Sequence, residues 1–151
     1  DYEKCVGCGQ CIVACLHGAA VAGSNSASCQ EKIAEYALAV VKGKPHFHIS
    51  FVMDISPNCD CWGHNDAAIA PDIGILASGD PVALDRSCYD LVNASAGLPG
   101  SAAERFLPDA SKPGSRDIFQ EAHPGIDGRL GLDYAESIGL GTQKYELKKV
   151  N

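Results

Sequence analysis

Four cysteines, Cys5, Cys8, Cys11 and Cys15, stand at C-x2-C-x2-C-x3-C near the start of the chain. Thiolates two residues apart on a looping backbone can wrap one corner of an iron–sulfur cubane. Gly7 and Gly9 relieve crowding in the run and permit turns that aim successive amides at cluster sulfurs. Such amides stabilise the anionic cluster and raise its potential. The run therefore predicts a [4Fe–4S] cluster. A zinc knot is the competing reading, but closed zinc sites prefer two separated cysteine pairs. Cys15 has two readings. It closes a single cluster with the other three, or it serves a second cluster whose remaining ligands lie on an upstream polypeptide segment or another subunit.

Asn58-Cys59-Asp60-Cys61, with His64 and Asp66 just beyond, gathers a second set of ligand-type side chains. Cys59 and Cys61 are candidate metal or cluster ligands. A redox dithiol and a pair of buried structural cysteines are the alternatives. Cys29 falls near a helix start, where an exposed thiol becomes reactive; packing as a small residue is the simpler reading. Cys88 sits inside a helix and reads as core. His46 and His48 read as strand residues rather than ligands. Among the carboxylates, Asp72 suits a turn, Asp80 a helix cap, and Asp85 the turn after Pro81, where it can face a cleft. Carboxylates at strand ends and helix starts can bind a metal or move a proton. No catalytic residue is assigned. There is no glycine fingerprint and no phosphate loop, so a dinucleotide or nucleoside triphosphate site is not supported.

Several elements must position these groups. The spacing predicts a helix over Cys29–Val41, with Ser28 as cap, Glu31 completing a capping box, and Gly43 and Pro45 as stops. Ile33, Ala37 and Val41, beside Ala34 and Leu38, would form its apolar face. Clean alternation predicts a strand over His46–Ile55, with Phe47, Ile49, Phe51, Met53 and Ile55 on one face. Ile73–Leu76 reads as a second strand. Asp80 as N-cap and Pro81 as N1 open a helix to Ala94. Residues 97–114 read as a loop with a brief turn at Ala102–Phe106. A short helix over Arg116–Ala122 and a longer one over Leu130–Ile138, ended by Gly139, follow. Tyr145–Val150 reads as an edge strand. The fold class is α/β, a mixed sheet with flanking helices, plus the N-terminal cysteine loop. It divides into a cluster segment at 1–24 and an α/β domain at 25–151.

The chain has 151 residues, 46% of them hydrophobic, and a net charge of −7. That length suits one domain, or one with a small appendage. No basic cluster exceeds Lys148-Lys149, which disfavours nucleic acid, because phosphate neutralisation needs a basic patch. No stretch approaches 18 uncharged apolar residues, so no membrane span is expected. There is also no signal-peptide pattern. Eight cysteines, half of them in one metal-type run, point away from a secreted disulfide scaffold and toward a reducing, cytoplasmic setting. The acidic balance is compatible with a basic redox partner protein and equally with solubility alone. Asp1 rather than Met opens the chain, which reads as processed or as a piece of a longer protein.

These residues together resemble a known family, the DUF362 iron–sulfur proteins. The likeness rests on the cysteine run, on EYA at Glu35–Ala37, and on NCDC at Asn58–Cys61. PDIGILAS at Pro71–Ser78, DPVALD at Asp80–Asp85, the GLG turn at Gly139–Gly141 and YEL at Tyr145–Leu147 complete it. The resemblance implies an α/β domain carrying a ferredoxin-like module of two clusters. It implies Cys5, Cys8 and Cys11 as one ligand set, with Cys15 serving the other cluster. Leu16 stands where the family has Pro. The resemblance brings no substrate. Three functions follow as expectations: electron transfer; an Fe–S oxidoreductase whose substrate or metal site is lined by the NCDC loop and carboxylates; and a structural cluster on a binding or scaffold protein.

Overall fold

The computed structural model describes residues 15–17, 19, 26–58, 66–103, 117–123 and 126–150. Cys5, Cys8, Cys11, Cys59, Cys61 and His64 lie outside them, as do residues 104–106 of the expected turn and Arg116. Six elements are described: α1 (Ser26–Val41), β1 (His48–Val52), β2 (Gly74–Ser78), α2 (Pro81–Ala94), α3 (Ile118–Ala122) and α4 (Gly128–Ser137). The class is α/β, as expected. The described sheet, however, has two strands paired antiparallel, with Phe51 opposite Ile75 and Ile49 opposite Ala77.

Helix α1 starts before the expected Ser28 cap, so Ser28 and Glu31 belong to the helix body. Its C-terminal stop is the expected one. Gly43 takes the left-handed conformation at φ 72° and Lys44 N donates to Val41 O at 3.0 Å. Of the expected apolar face, Ala34 is buried and packs with Val82 and Ala135, while Ile33 is 63% exposed.

Strand β1 is shorter than the alternation predicts. Asp54 ends the run at φ 50°, a conformation that Asp tolerates better than most residues. Beyond this kink Ile55 packs against the main core, formed by Val52, Ile69, Ala70, Val92, Ala102, Ala103 and Ile118. Before it the sheet has its greasier side out. Phe47, Ile49 and Phe51 are 57–68% exposed, while His48, Ser50 and Val52 turn inward. Helix α2 packs on β1 and β2 on one side and on α4 on another, and α4 packs on α1.

Asp80 is the joint of this arrangement. Its side chain caps α2 as expected, Oδ1 accepting from Val82 N at 2.9 Å and Ala83 N at 3.0 Å. Oδ2 accepts from Thr142 N at 2.9 Å, 62 residues away. The GLG turn is thereby tied to the DPVALD motif. A Cβ added to Gly141 would overlap Oδ1 of Asp80, so the turn can approach the carboxylate only with glycine there. Glu136 on α4 accepts from Thr142 Oγ1 and Gln143 N, each at 3.0 Å. Arg86 Nη1 donates to Gln143 Oε1, and Tyr145 OH to Asp90 Oδ2.

The expected edge strand at the tail is not formed. Residues 144–150 have no strand assignment and do not pair with β2. Tyr145 is tethered to α2 instead, and a cleft separates the tail from β2.

Asp80→Ala should cost about 2 kcal/mol, a cap plus one long-range charge-assisted hydrogen bond. Gly141→Ala should also destabilise, but much less in the Asp80→Ala background, where the overlap is gone. A denaturant-melt double-mutant cycle checks this through its non-additivity.

Candidate functional site

The residues flanking NCDC form a closed stem. Ile73 N donates to Val52 O at 2.9 Å and Ile69 N to Ile55 O at 2.7 Å. Asp54 N donates to Asp72 Oδ1 at 2.9 Å, which makes Asp72 the turn residue that the sequence suggested. On the entering side, Ser56 Oγ donates to Asn58 O, and His123 Nε2 lies 2.6 Å from Pro57 O, so that ring nitrogen is the donor. On the leaving side Ile69 and Ala70 are almost wholly buried. Both ends of the segment carrying Cys59 and Cys61 are therefore fixed to the main core. The two cysteines lie outside the described residues.

Of the N-terminal run, Cys15 is described. Its Sγ accepts from Ala19 N at 3.2 Å. Leu16, in the position after it, is 93% exposed.

The layer between β1 and α2 holds a second polar group of residues. Cys88 lies against the main core, as expected for a mid-helix cysteine. Loss of water pushes its thiol above the ordinary value; Ser50 acts against this and the Asp85 charge adds to it. Asp85 stands at a cavity of about 260 Å³ between α1, α2 and α4, lined also by Gln30, Ala34, Val82, Leu132 and Ala135. The residue is exposed on the whole, yet its carboxyl is held above the usual range by loss of water, with His48 pulling the other way. His46 Nδ1 and His48 Nε2 lie 2.9 Å apart. Cys29 is exposed at the start of α1 and carries a free thiol. Among the described residues no three His, Cys, Asp or Glu side chains converge as a metal site. Asp80, with both oxygens engaged by backbone amides, is structural.

Sequence patterns assigned no chemistry to Asp117, Asn93 or His123. Asp117 caps α3 through Phe119 N and Gln120 N and binds Tyr89 OH. Asn93 Oδ1 accepts from Ile118 N at 2.8 Å. Together with the stacked rings of Tyr89 and Phe119, 5.0 Å apart, these contacts hold α3 so that His123 reaches the loop stem. An Asp directly before an apolar run was the available signal for the cap.

These features define an α/β domain whose sequence carries a cysteine run ahead of α1 and a second cysteine pair between the clamped sides of a stem. The model of a domain of unknown function, DUF362, matches residues 6–90, and the chain belongs to that family. The matched span ends inside α2, so the GLG turn and tail lie beyond it. Neither curated proteins nor solved structures gave a match.

Asp85 yields a pH test. Its raised value means that its contribution to stability is full below the ordinary carboxylate pKa and is lost as pH rises through the raised one. Asp85→Asn should therefore stabilise the protein at neutral pH, and the gain should vanish near about pH 3. Urea midpoints across that range check the sign.

Proposed function

We propose that this chain is an iron–sulfur electron-transfer protein. The observation that carries the reading is the C-x2-C-x2-C-x3-C run, whose four thiolates Cys5, Cys8, Cys11 and Cys15 fit a [4Fe–4S] cluster. The amide directed at Cys15 Sγ supports it, since a thiolate ligand needs such donors. When bound, the cluster supplies a one-electron couple. The protein's part is to hold the thiolates deprotonated and to present a docking surface. A net charge of −7 suits a basic redox partner protein, and unpaired thiols at Cys29 and Cys88 suit a reducing, cytoplasmic setting. In the two-cluster form, Cys15 serves the second cluster and a polypeptide segment outside these residues supplies its other ligands.

The clamped stem below NCDC favours a second reading, an Fe–S oxidoreductase. A loop with both ends fixed to the core can hold Cys59 and Cys61 in one position as ligands or as the lining of a substrate site.

Anaerobic reconstitution should give a brown protein with about four irons and four sulfides per chain. Cys8→Ser should lower both without unfolding residues 26–150. Stoichiometric zinc in place of iron would overturn the cluster reading. Cys59→Ser with Cys61→Ser tests the second reading. It should shift the cluster spectrum or potential while circular dichroism stays constant; an unchanged spectrum and potential would make the loop structural.

A further inference from the structure

A cleft of about 660 Å³ runs beside β2. Its described lining includes Ile75, Leu76, Ala77 and Ser78, four consecutive residues of the strand. A cavity over a sheet face meets alternate residues only, because successive side chains point to opposite faces. Contact with every residue in turn means that this cleft lies along the strand's edge. The opposite wall is Tyr145–Val150, also consecutive and also unpaired in any sheet. The floor is Ala83, Leu84 and Ser87 of α2, all buried. Among the described residues β2 pairs with β1 alone, so its outer amides and carbonyls face the cleft.

We propose that this cleft is a strand-acceptor slot, filled by an extended segment of a partner protein that pairs with the free edge of β2. The size fits. A strand residue in a packed sheet occupies about 3.3 by 4.8 by 10 Å, roughly 160 Å³, so the cleft holds about four residues. That matches the four edge residues exposed to it. The chemistry fits as well. β2 carries no charge, whereas the tail carries Lys144, Lys148 and Lys149 against Glu146 alone. The incoming strand is therefore apolar where it crosses Leu84 and bears a carboxylate toward Lys148 and Lys149. Edge pairing works through the backbone, so a peptide of the right alternation binds without an exact sequence. The same strand would extend the apolar face on which Phe51 and Ile75 stand 68% and 63% exposed.

The tail is held in place for this role. Tyr145 is tied to Asp90, and Glu136 grips Thr142 and Gln143, so the outer wall is anchored at one end while residues 146–150 remain exposed. The proposal is independent of any cluster.

The test titrates an acetylated hexapeptide of alternating valine and glutamate into the full chain, with amide hydrogen exchange as readout. The amides of Gly74–Ser78 that point away from β1 should slow at least about tenfold on saturation, since edge hydrogen bonds replace water. Lys148→Glu with Lys149→Glu should weaken binding by about tenfold without altering the fold, because both side chains are exposed. A chain ending at Gln143 should lose binding while β1–β2 protection persists. No slowing of β2 amides at saturating peptide overturns the proposal. So does binding that leaves β2 unprotected. So does slow β2 exchange in the free protein that disappears on removing the tail, which makes the tail its own third strand. Protection that rises with protein concentration alongside a doubled mass assigns the slot to a second copy and also overturns it.

Discussion

One carboxylate sets the geometry of the described domain. Asp80 accepts three backbone amides, two at the start of α2 and one from Thr142. The first two fix where the helix begins; the third fixes where the chain lies after α4. Both oxygens are thus committed, and the charge is held by the donors that a helix N-terminus leaves unsatisfied. Everything that packs on α2 inherits its position from this joint. α4 is placed because Thr142 follows it closely and Glu136 grips the same turn from the other side. α1 is placed because it packs on α4. The two motifs DPVALD and GLG, far apart in sequence, are two halves of one contact, and Gly141 is the residue that lets them touch.

Helix α2 carries two different environments. Toward α1 and α4 it presents Val82 to a small cluster with Ala34 and Ala135. Toward the sheet it presents Cys88 and Val92 to the main core, with Ser50 beside the thiol. The sheet side is the more polar one, since β1 turns His48 and Ser50 inward and Phe47, Ile49 and Phe51 outward. Burial of the second set would be worth more than burial of the first, at about 25 cal/mol per Å² of apolar surface.

Local signals in the sequence carried the elements that local chemistry decides. Asp80-Pro81 marked the start of α2, Gly43 the end of α1, and the Phe-Ile-Phe alternation the strand. Each depends on groups only a few residues apart. The signals failed where distant groups decide. The strand ended early because Asp54 adopts φ 50° and donates its amide to Asp72, a partner 18 residues on. The tail read as an edge strand from its alternation, but an edge strand needs a neighbour, and α2 holds Tyr145 away from β2. The Ser28 capping box was a correct local pattern overridden by a helix that continues through it. Alternation also could not say which face of the sheet would be covered. The role of His123 was out of reach, because it depends on α3 being fixed by Asp117, Asn93 and Tyr89.

The ligand-type residues share a placement that follows from these constraints. Cys15 belongs to a run that precedes α1, and NCDC hangs from a stem closed by Ile55 and Ile69. Of these cysteines Cys15 is described, and it stands outside any helix or strand. The NCDC segment has its described ends fixed by Ile55 and Ile69. No residue of the Asp80 joint belongs to the cysteine run or to NCDC. Changes at Asp80 or Gly141 act on the packing of α2 and α4, whereas the cysteines stand apart from that joint. The stem at Pro57 is where the two meet, because His123 links the approach to Cys59 to the helix that closes the main core.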